Sequence, residues 1–196
     1  YLANVFPWRF STSKSKQAKD DYADKQDNLA PKETTELSYT LPSWVYNSED
    51  FFKQEKELLF MPSWQLVCHV SDLPKTGSYI RYDMFNERAF VIRGKDSNIR
   101  AFQNVCSHRA HTVVQDHQGE CPGRLTCPYH GWTYTLDGKR AGVGAPESFP
   151  QHDKSQFGLK SLEVEIFLGF VFLRYQVGGP SVAECFGPVT EEFAAY

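Results

Sequence analysis

The sequence predicts a mainly β protein whose small antiparallel sheets stack as a sandwich. Short runs rich in β-branched and aromatic residues recur along the middle of the chain, and clusters of Gly, Pro, Asn and Asp separate them. Of the 196 residues, 41% are hydrophobic and fifteen are Phe, which is enough for a core. The sequence therefore indicates one β domain with an extension at each end.

The first predicted element is a short helix that precedes the sheets. Ser48 suits the N-cap of this helix, and the charges of Glu49 and Asp50 favour a helix N-terminus. Apolar residues then follow at helical spacing as far as Pro62, which is expected to end the helix.

The predicted strands follow this helix, with turn sequences between them. The first six are Gln65–Val70, Ser78–Met84, Arg88–Arg93, Ile99–Val105, Arg124–Cys127 and Thr133–Leu136. Two more, Leu162–Phe167 and Phe170–Tyr175, form a late hairpin that turns at Gly169. We expect the core to include the phenylalanines of this hairpin, which are Phe167, Phe170 and Phe172.

Both ends of the chain differ from this β region. Residues 1–40 are mostly polar and show no apolar periodicity, which favours a flexible arm. At the other end, Ser181-Val182-Ala183-Glu184 has the form of a capping box, and helical spacing continues after it, although Gly187-Pro188 interrupts the pattern. We therefore predict an arm (1–40), a β domain (41–180) and the start of a linker helix (181–196).

The composition argues against several classes of function. The net charge is −3 without a basic block, which argues against nucleic-acid binding. The longest apolar run, Ile166 to Leu173, is far too short for a membrane span, and no signal peptide is visible. Five cysteines, an odd number, fit free thiols in a reducing compartment, so we expect a soluble cytoplasmic protein.

Four potential metal ligands lie in two short segments, Cys106-Ser107-His108 and Cys127-Pro128-Tyr129-His130, separated by eighteen residues. Two thiolates and two imidazoles are the ligands of a Rieske [2Fe–2S] cluster, in which one iron has the cysteines and the other the histidines. Structural zinc also takes Cys and His, but Cys-x-His is tighter than the spacing of most zinc loops. A zinc-stabilised interaction module is the competing interpretation, and it predicts a colourless protein.

The segments Asn104–His111 and Cys127–Tyr134 resemble the Rieske domain in the alpha subunit of ring-hydroxylating oxygenases. This resemblance extends from about Leu41 to the C-terminus. It implies a Rieske-type β-sandwich whose two ligand loops project as fingers, with the cysteines on one iron and the histidines on the other. The implied cofactor and metal ligands are Cys106, His108, Cys127 and His130.

The resemblance also suggests roles for residues beside the ligands. Arg109 would help to orient the first loop, with an ordinary surface arginine as the equal alternative. We expect Trp132, and Tyr129 with it, to pack under the second loop, and Gly131 to allow close backbone approach to the cluster. The remaining histidines lack paired spacing and are expected not to be ligands; they are His69, His111, His117 and His152.

Two details separate this sequence from other Rieske proteins. The respiratory class has an additional cysteine in each loop, and the two form a disulfide; His111 and Tyr129 stand at those positions here. That class also has a serine beside the second loop that hydrogen-bonds a cluster sulfur, where this chain has Gly131-Trp132; fewer such bonds favour a low potential. The spacer slightly exceeds the family's usual length, and we expect the excess in the Gly119–Gly123 turn.

The resemblance implies electron delivery within an oxygenase. A reductase or ferredoxin fed by NAD(P)H would reduce the cluster, and the electron would leave through His108 or His130 toward a mononuclear Fe(II) of a neighbouring subunit, usually in a ring of three. That iron takes two His and one carboxylate in a second domain, and no such triad occurs before Tyr196. We therefore expect the N-terminal part of an oxygenase.

Two alternatives concern the reaction itself. The full protein would hydroxylate or demethylate an organic substrate, and the Asn104–Ala110 run is slightly more similar to choline monooxygenase-like members. A stand-alone Rieske ferredoxin, which carries electrons and consumes no O2, is the alternative function. The helix before Trp64 and the tail after Pro180 count against that alternative.

Overall fold

A computed structural model describes residues 40–144 and 154–194. The chain divides into two units, Tyr1–Ser43 and Trp44–Tyr196, and the architecture below is that of the second. The predicted flexible arm, apart from its last residue, and His152 lie outside the described residues.

The first helix, α1, spans Glu49–Glu55 and follows a 3-10 turn at Ser43–Tyr46. Its N-cap is Ser48, as predicted, and the Ser48 side chain accepts a hydrogen bond from the Phe51 N–H at 3.2 Å. A π-helical segment, Lys56–Phe60, continues the helix to a point just before Pro62. The helix therefore starts and ends close to the positions that the capping and proline signals predict.

Ten strands follow in the part of the chain that the structure describes, and they are all antiparallel where they pair. They are β1 (Gln65–His69), β2 (Ser78–Met84), β3 (Glu87–Arg93), β4 (Ile99–Gln103), β5 (Gln118–Glu120), β6 (Leu125–Thr126), β7 (Thr133–Tyr134), β8 (Arg140–Gly142), β9 (Ser161–Phe167) and β10 (Phe170–Arg174). One sheet has seven strands in the order β1-β10-β9-β4-β3-β2-β5, and a second has three in the order β6-β7-β8. The predicted mainly β antiparallel fold is confirmed.

The interior strand β3 is buried on both faces, and this explains its almost continuous apolar sequence. Phe90 and Ile92 point into a core that the large sheet shares with Leu125 and Tyr134 of the small sheet. Ala89 and Val91, which alternate with these residues along β3, contribute to a second core on the opposite face. The small sheet therefore packs on one face of the large one, and the apolar residues of both sheets hold it there.

Two strands were not predicted, because neither has the residues that mark strands. The sequences Gln118-Gly119-Glu120 of β5 and Arg140-Ala141-Gly142 of β8 lack aliphatic β-branched and aromatic residues. The expectation that Gly119–Gly123 is one turn is wrong at its start, since β5 pairs Gly119 with Tyr79. The assignment of Phe170 to the core is also wrong, because its side chain is 45% exposed.

The predicted capping box forms at the C-terminal helix. The Ser181 side chain accepts from the Glu184 N–H at 3.2 Å, and the Glu184 carboxylate accepts from the Ser181 N–H at 2.8 Å. Gly187-Pro188 divides the segment into α2 (Val182–Phe186) and α3 (Val189–Phe193). Within the described ranges, none of the helices combines the length and apolarity of a membrane span.

Candidate metal centre

The four predicted ligands lie together at one end of the small sheet. Cys106 and His108 are in the loop after β4, and Cys127 and His130 are in the loop between β6 and β7. The two histidine rings are 4.7 Å apart between centroids, and the Cys127 side chain is within hydrogen-bonding reach of Cys106. Both thiols are buried, whereas His108 is half-buried and His130 is exposed. The thiols therefore face inward and the imidazoles outward.

The two loops use the same backbone turn. In each, the N–H of the cysteine donates to the carbonyl five residues later, at 2.8 Å to His111 and 2.8 Å to Trp132. The residue four after the cysteine donates back to the cysteine carbonyl, at 2.9 and 3.0 Å. These residues are Ala110 and Gly131, with φ of 57° and 67°. Glycine suits this conformation, and Ala110 adopts it at a cost of about 1 kcal/mol.

The cysteine pair suits the binding of an anionic sulfur centre. Burial raises the pKa of the Cys127 thiol, and the backbone N–H groups of Tyr129 and His130 act in the opposite direction. N–H groups directed at a sulfur stabilise its thiolate form, which is the form that binds iron. Two adjacent thiols inside and two imidazoles outside are the donor set that a Rieske cluster takes, so these residues fit that group.

Tyr134 contacts the first cysteine, and sequence reasoning missed this role. Its hydroxyl accepts from the Ser107 N–H at 3.0 Å and lies 3.0 Å from the Cys106 sulfur. Since a hydroxyl has one proton, that proton is available for the sulfur. Burial, followed by the contact with Cys106, raises the pKa of Tyr134, so the hydroxyl stays protonated. The available signal was a tyrosine two residues after Trp132 in a predicted strand.

We predict that Tyr134→Phe lowers the reduction potential of a bound cluster by about 40–60 mV. A hydrogen bond to a ligand sulfur stabilises the extra negative charge of the reduced state, and one such bond corresponds to roughly this shift for one electron. The matched control is Tyr82→Phe, which removes a hydroxyl bonded at 3.3 Å to Gln65 beside the opposite core. Equal potentials in the two variants, measured by redox titration, would contradict the assignment.

Asn104 closes the first ligand loop from within the core. Its side chain is fully buried and donates to the Val114 carbonyl at 2.8 Å. Its carbonyl oxygen accepts from the N–H groups of Val113 and Val114 at 2.9 and 3.0 Å. The three bonds join the two ends of the loop that contains Cys106 and His108. The sequence analysis included Asn104 only as part of a motif, without this role.

Aromatic rings surround the histidines. Trp132 is buried, as expected, and it stacks on His108 of the first loop with a centroid distance of 4.9 Å and an angle of 4°. The expectation for Tyr129 is wrong, because its side chain is 57% exposed and lies 3.8 Å from the His130 ring. Burial, then the proximity of His130 and Arg109, lowers the pKa of His108, which favours the neutral imidazole that binds metal.

The remaining candidates lie elsewhere or contribute indirectly. Arg109 is exposed, and its orienting role stays a prediction. The His69 ring contacts Phe170 of β10 and its Nδ1 lies 2.8 Å from the Ser71 hydroxyl, while His117 is exposed. The cysteines outside the ligand set are free thiols; they are Cys68, Cys121 and Cys185. Burial raises the pKa of the Cys68 thiol to about 12.

Gly144 is a further residue that the sequence analysis missed. A Cβ at this position would lie too close to the carbonyl oxygen of His130, whereas a Cβ at Gly131 would meet Gly144 only at 3.6 Å. We predict that Gly144→Ala destabilises the protein by about 1–3 kcal/mol and lowers its iron content, because the second loop must move.

Gly131→Ala is the matched control for Gly144→Ala. Ala110 shows that the equivalent turn accepts alanine, so a cost of about 1 kcal/mol is expected for Gly131→Ala. Iron per chain and the denaturant midpoint check both variants. A Gly144→Ala protein as stable and as iron-rich as Gly131→Ala would show that the contact with His130 is unimportant.

Among the described residues, no group of three or more His, Cys, Asp or Glu side chains is arranged around a single metal ion. Each iron of a [2Fe–2S] cluster takes only two protein side chains, so two pairs are the arrangement expected of a dinuclear site.

Comparison with known proteins identifies related domains and subunits. The family model of the Rieske [2Fe-2S] domain matches residues 63–162. The carnitine monooxygenase oxygenase subunit of Acinetobacter pittii is 39% identical over 139 residues, which are 71% of this chain and 37% of that protein. The alpha subunit of 2-aminobenzenesulfonate 2,3-dioxygenase from Alcaligenes sp is 32% identical over 166 residues, 83% of this chain and 42% of that protein.

Solved structures of Rieske oxygenases are also similar to this chain. The quaternary ammonium Rieske monooxygenase CntA in complex with L-carnitine superimposes with a TM-score of 0.74 and 36% identity, over 81% of this chain and 45% of that one. Naphthalene 1,2-dioxygenase with phenanthrene gives a TM-score of 0.68 and 30% identity, over 73% of this chain and 32% of that one. The chain spans less than half the length of these relatives.

Proposed function

This chain belongs to the Rieske [2Fe–2S] domain family, and from that membership we propose that it delivers single electrons within an oxygenase. Cys106 and Cys127 would hold one iron, and His108 and His130 the other. The observation that carries this proposal is the convergence of two Cys-and-His pairs, thiols buried and imidazoles outward, on two copies of one turn. When bound, the cluster would supply reversible one-electron storage.

The side chains around the ligands determine which histidine ring a redox partner can approach. Trp132 covers a face of the His108 ring, and the His130 ring is exposed with Tyr129 beside it. A redox partner can therefore approach His130 most closely, and electron transfer favours short distances. We propose that an NAD(P)H-dependent reductase or ferredoxin and a mononuclear iron centre both use this end of the domain.

The names of the relatives support a proposal about the reaction. Carnitine and glycine betaine monooxygenase subunits occur among them, and both are named for quaternary ammonium compounds. We propose that the whole protein inserts oxygen into a quaternary ammonium substrate, with the mononuclear iron in a catalytic domain and the subunits in a homo-oligomer of three. Dioxygenation of an aromatic compound is the second candidate, which the dioxygenase relatives favour.

The experiment that tests the electron-transfer site is a metal analysis joined to spectroscopy. Anaerobically purified protein should contain about two iron and two sulfide per chain, and dithionite should bleach its colour and give a paramagnetic signal from one electron. A colourless protein with one zinc per chain would overturn the proposal. For the whole enzyme, substrate-dependent O2 consumption with carnitine-like and aromatic compounds would distinguish the two reactions.

A further inference from the structure

We propose that the rings of His111 and Tyr129 form an interloop ring pair that joins the two ligand loops and holds the His130 ring in place. The two rings lie 5.3 Å apart between centroids, at an angle of 39°. This separation and tilt are in the range that aromatic side chains favour. The proposal rests on the proposed cluster site, and it assigns positioning roles to two residues outside the ligand set.

The His111 side of the pair is fixed by the first loop. The His111 carbonyl accepts from the Cys106 N–H at 2.8 Å, which closes the turn around the first two ligands. The His111 ring nitrogen Nδ1 lies 2.8 Å from the Thr112 carbonyl oxygen. Because a carbonyl only accepts, Nδ1 donates in this bond, and the bond sets the direction of the ring.

The Tyr129 side of the pair is connected to a ligand. Its ring lies 3.8 Å from that of His130, at an angle of 34°. The Tyr129 side chain is 57% exposed, so the core does not hold its ring. Within the described residues, the ring contacts of Tyr129 are with His111 and His130. A movement of His111 can therefore reach His130 through Tyr129.

The contact matters because no disulfide joins the two loops near their tips. All five cysteines are free thiols, and two of them are the proposed ligands. The rings of His130 and Trp132 in the second loop also contact His108 in the first, and the interloop ring pair adds a further link on the Tyr129 side of the His130 ring. Loss of a ring contact of this kind changes an equilibrium constant or a rate constant by a factor of about 2–12. A change of this size is enough to alter how long the protein retains the cluster.

A double-mutant cycle on the cluster-loaded protein tests the pair. The four proteins are wild type, His111→Ala, Tyr129→Ala and the double variant, and the readout is the rate of iron loss to a chelator, followed by visible absorbance. We expect each single variant to lose iron about 2–12 times faster than wild type. The double variant should lose iron no faster than the more labile single variant, because both substitutions remove the same contact.

Two ring-keeping variants separate positioning from general loss of structure. Tyr129→Phe should lose iron within about twofold of the wild-type rate, since the aromatic contact persists. His111→Phe keeps a ring but loses the bond to the Thr112 carbonyl, so its rate should lie between those of wild type and His111→Ala. In the reduced protein, Tyr129→Ala should change the nitrogen hyperfine coupling of one ligand histidine, and Tyr129→Phe should leave it unchanged.

Two results would overturn the interloop ring pair. One is a double variant whose rate is the product of the single effects, and the other is a ring-keeping variant as labile as its alanine counterpart. Wild-type protein without any cluster would instead overturn the proposed function, and its absorbance would reveal this before a variant is made.

Discussion

His130→Cys is expected to lower the reduction potential of the bound cluster by about 100 mV or more. Clusters with two histidines have potentials from about −150 mV upward, whereas all-cysteine ferredoxins lie near −400 mV. A thiolate gives the iron more negative charge than a neutral imidazole, so the reduced state becomes less favourable. One substitution should produce a substantial part of this difference in reduction potential. His108→Cys should also lower the potential.

The measurement is a redox titration followed by the signal of the reduced cluster. The nitrogen couplings of that signal give an independent count, two histidine ligands in the wild type and one in each variant. His117→Cys is the matched control, because it makes the same replacement at an exposed residue outside the site. A potential and a nitrogen count that do not change in His130→Cys would refute the assignment of this ligand.

Asn104→Ala is expected to reduce the free energy of unfolding by about 3 kcal/mol. The substitution removes three hydrogen bonds and leaves backbone groups of Val113 and Val114, two N–H and one carbonyl, without their buried partner. Each such group costs about 1–3 kcal/mol when it stays unpaired, and local relaxation reduces the sum. Denaturant unfolding with a constant m-value gives the measurement.

Two comparison variants sharpen this test. Asn98→Ala removes an exposed amide that bonds Asp96, and it should change stability by no more than about 0.5 kcal/mol. Asn104→Asp keeps an oxygen for the two N–H groups but places the other oxygen against the Val114 carbonyl.

The introduced carboxyl group should have a raised pKa in the folded state, because it is buried and its neutral form can donate to that carbonyl. The stability deficit of Asn104→Asp, which is its loss of unfolding free energy relative to wild type, should therefore shrink as pH falls through this pKa and be largest at neutral pH. A deficit that does not vary with pH would contradict the bonding of Asn104.

The sequence predicted the parts of this protein that depend on local residue patterns. Strands β2, β3 and β10 contain dense β-branched and aromatic runs, and the N-cap at Ser48 and the capping box at Ser181 act within a few residues. The ligand pairs were visible because each has its Cys and His within four residues. Such signals do not require knowledge of the fold.

The missed features depend on contacts between distant segments. Strand β5 exists because its polar residues pair with the edge of β2, and its own sequence gives no strand signal. The role of Tyr134 requires Cys106, which is far away along the chain, and the role of Gly144 requires the folded second loop. Tyr129 was placed under the loop because aromatic residues are often buried, whereas its side chain is exposed beside His130.

The pairing of β4 with β9 has a consequence for how the domain can be divided. These strands are neighbours in the large sheet, and the Gln103 N–H donates to the Lys160 carbonyl at 2.8 Å. The intervening stretch, residues 104–160, contains both ligand loops, the small sheet and the edge strand β5, which pairs with β2. The stretch begins and ends at adjacent points of the large sheet. Such a stretch is a natural cassette for exchange between homologous proteins, because a chimaera made at these two junctions would change the redox centre while keeping the β4–β9 junction of the host sheet.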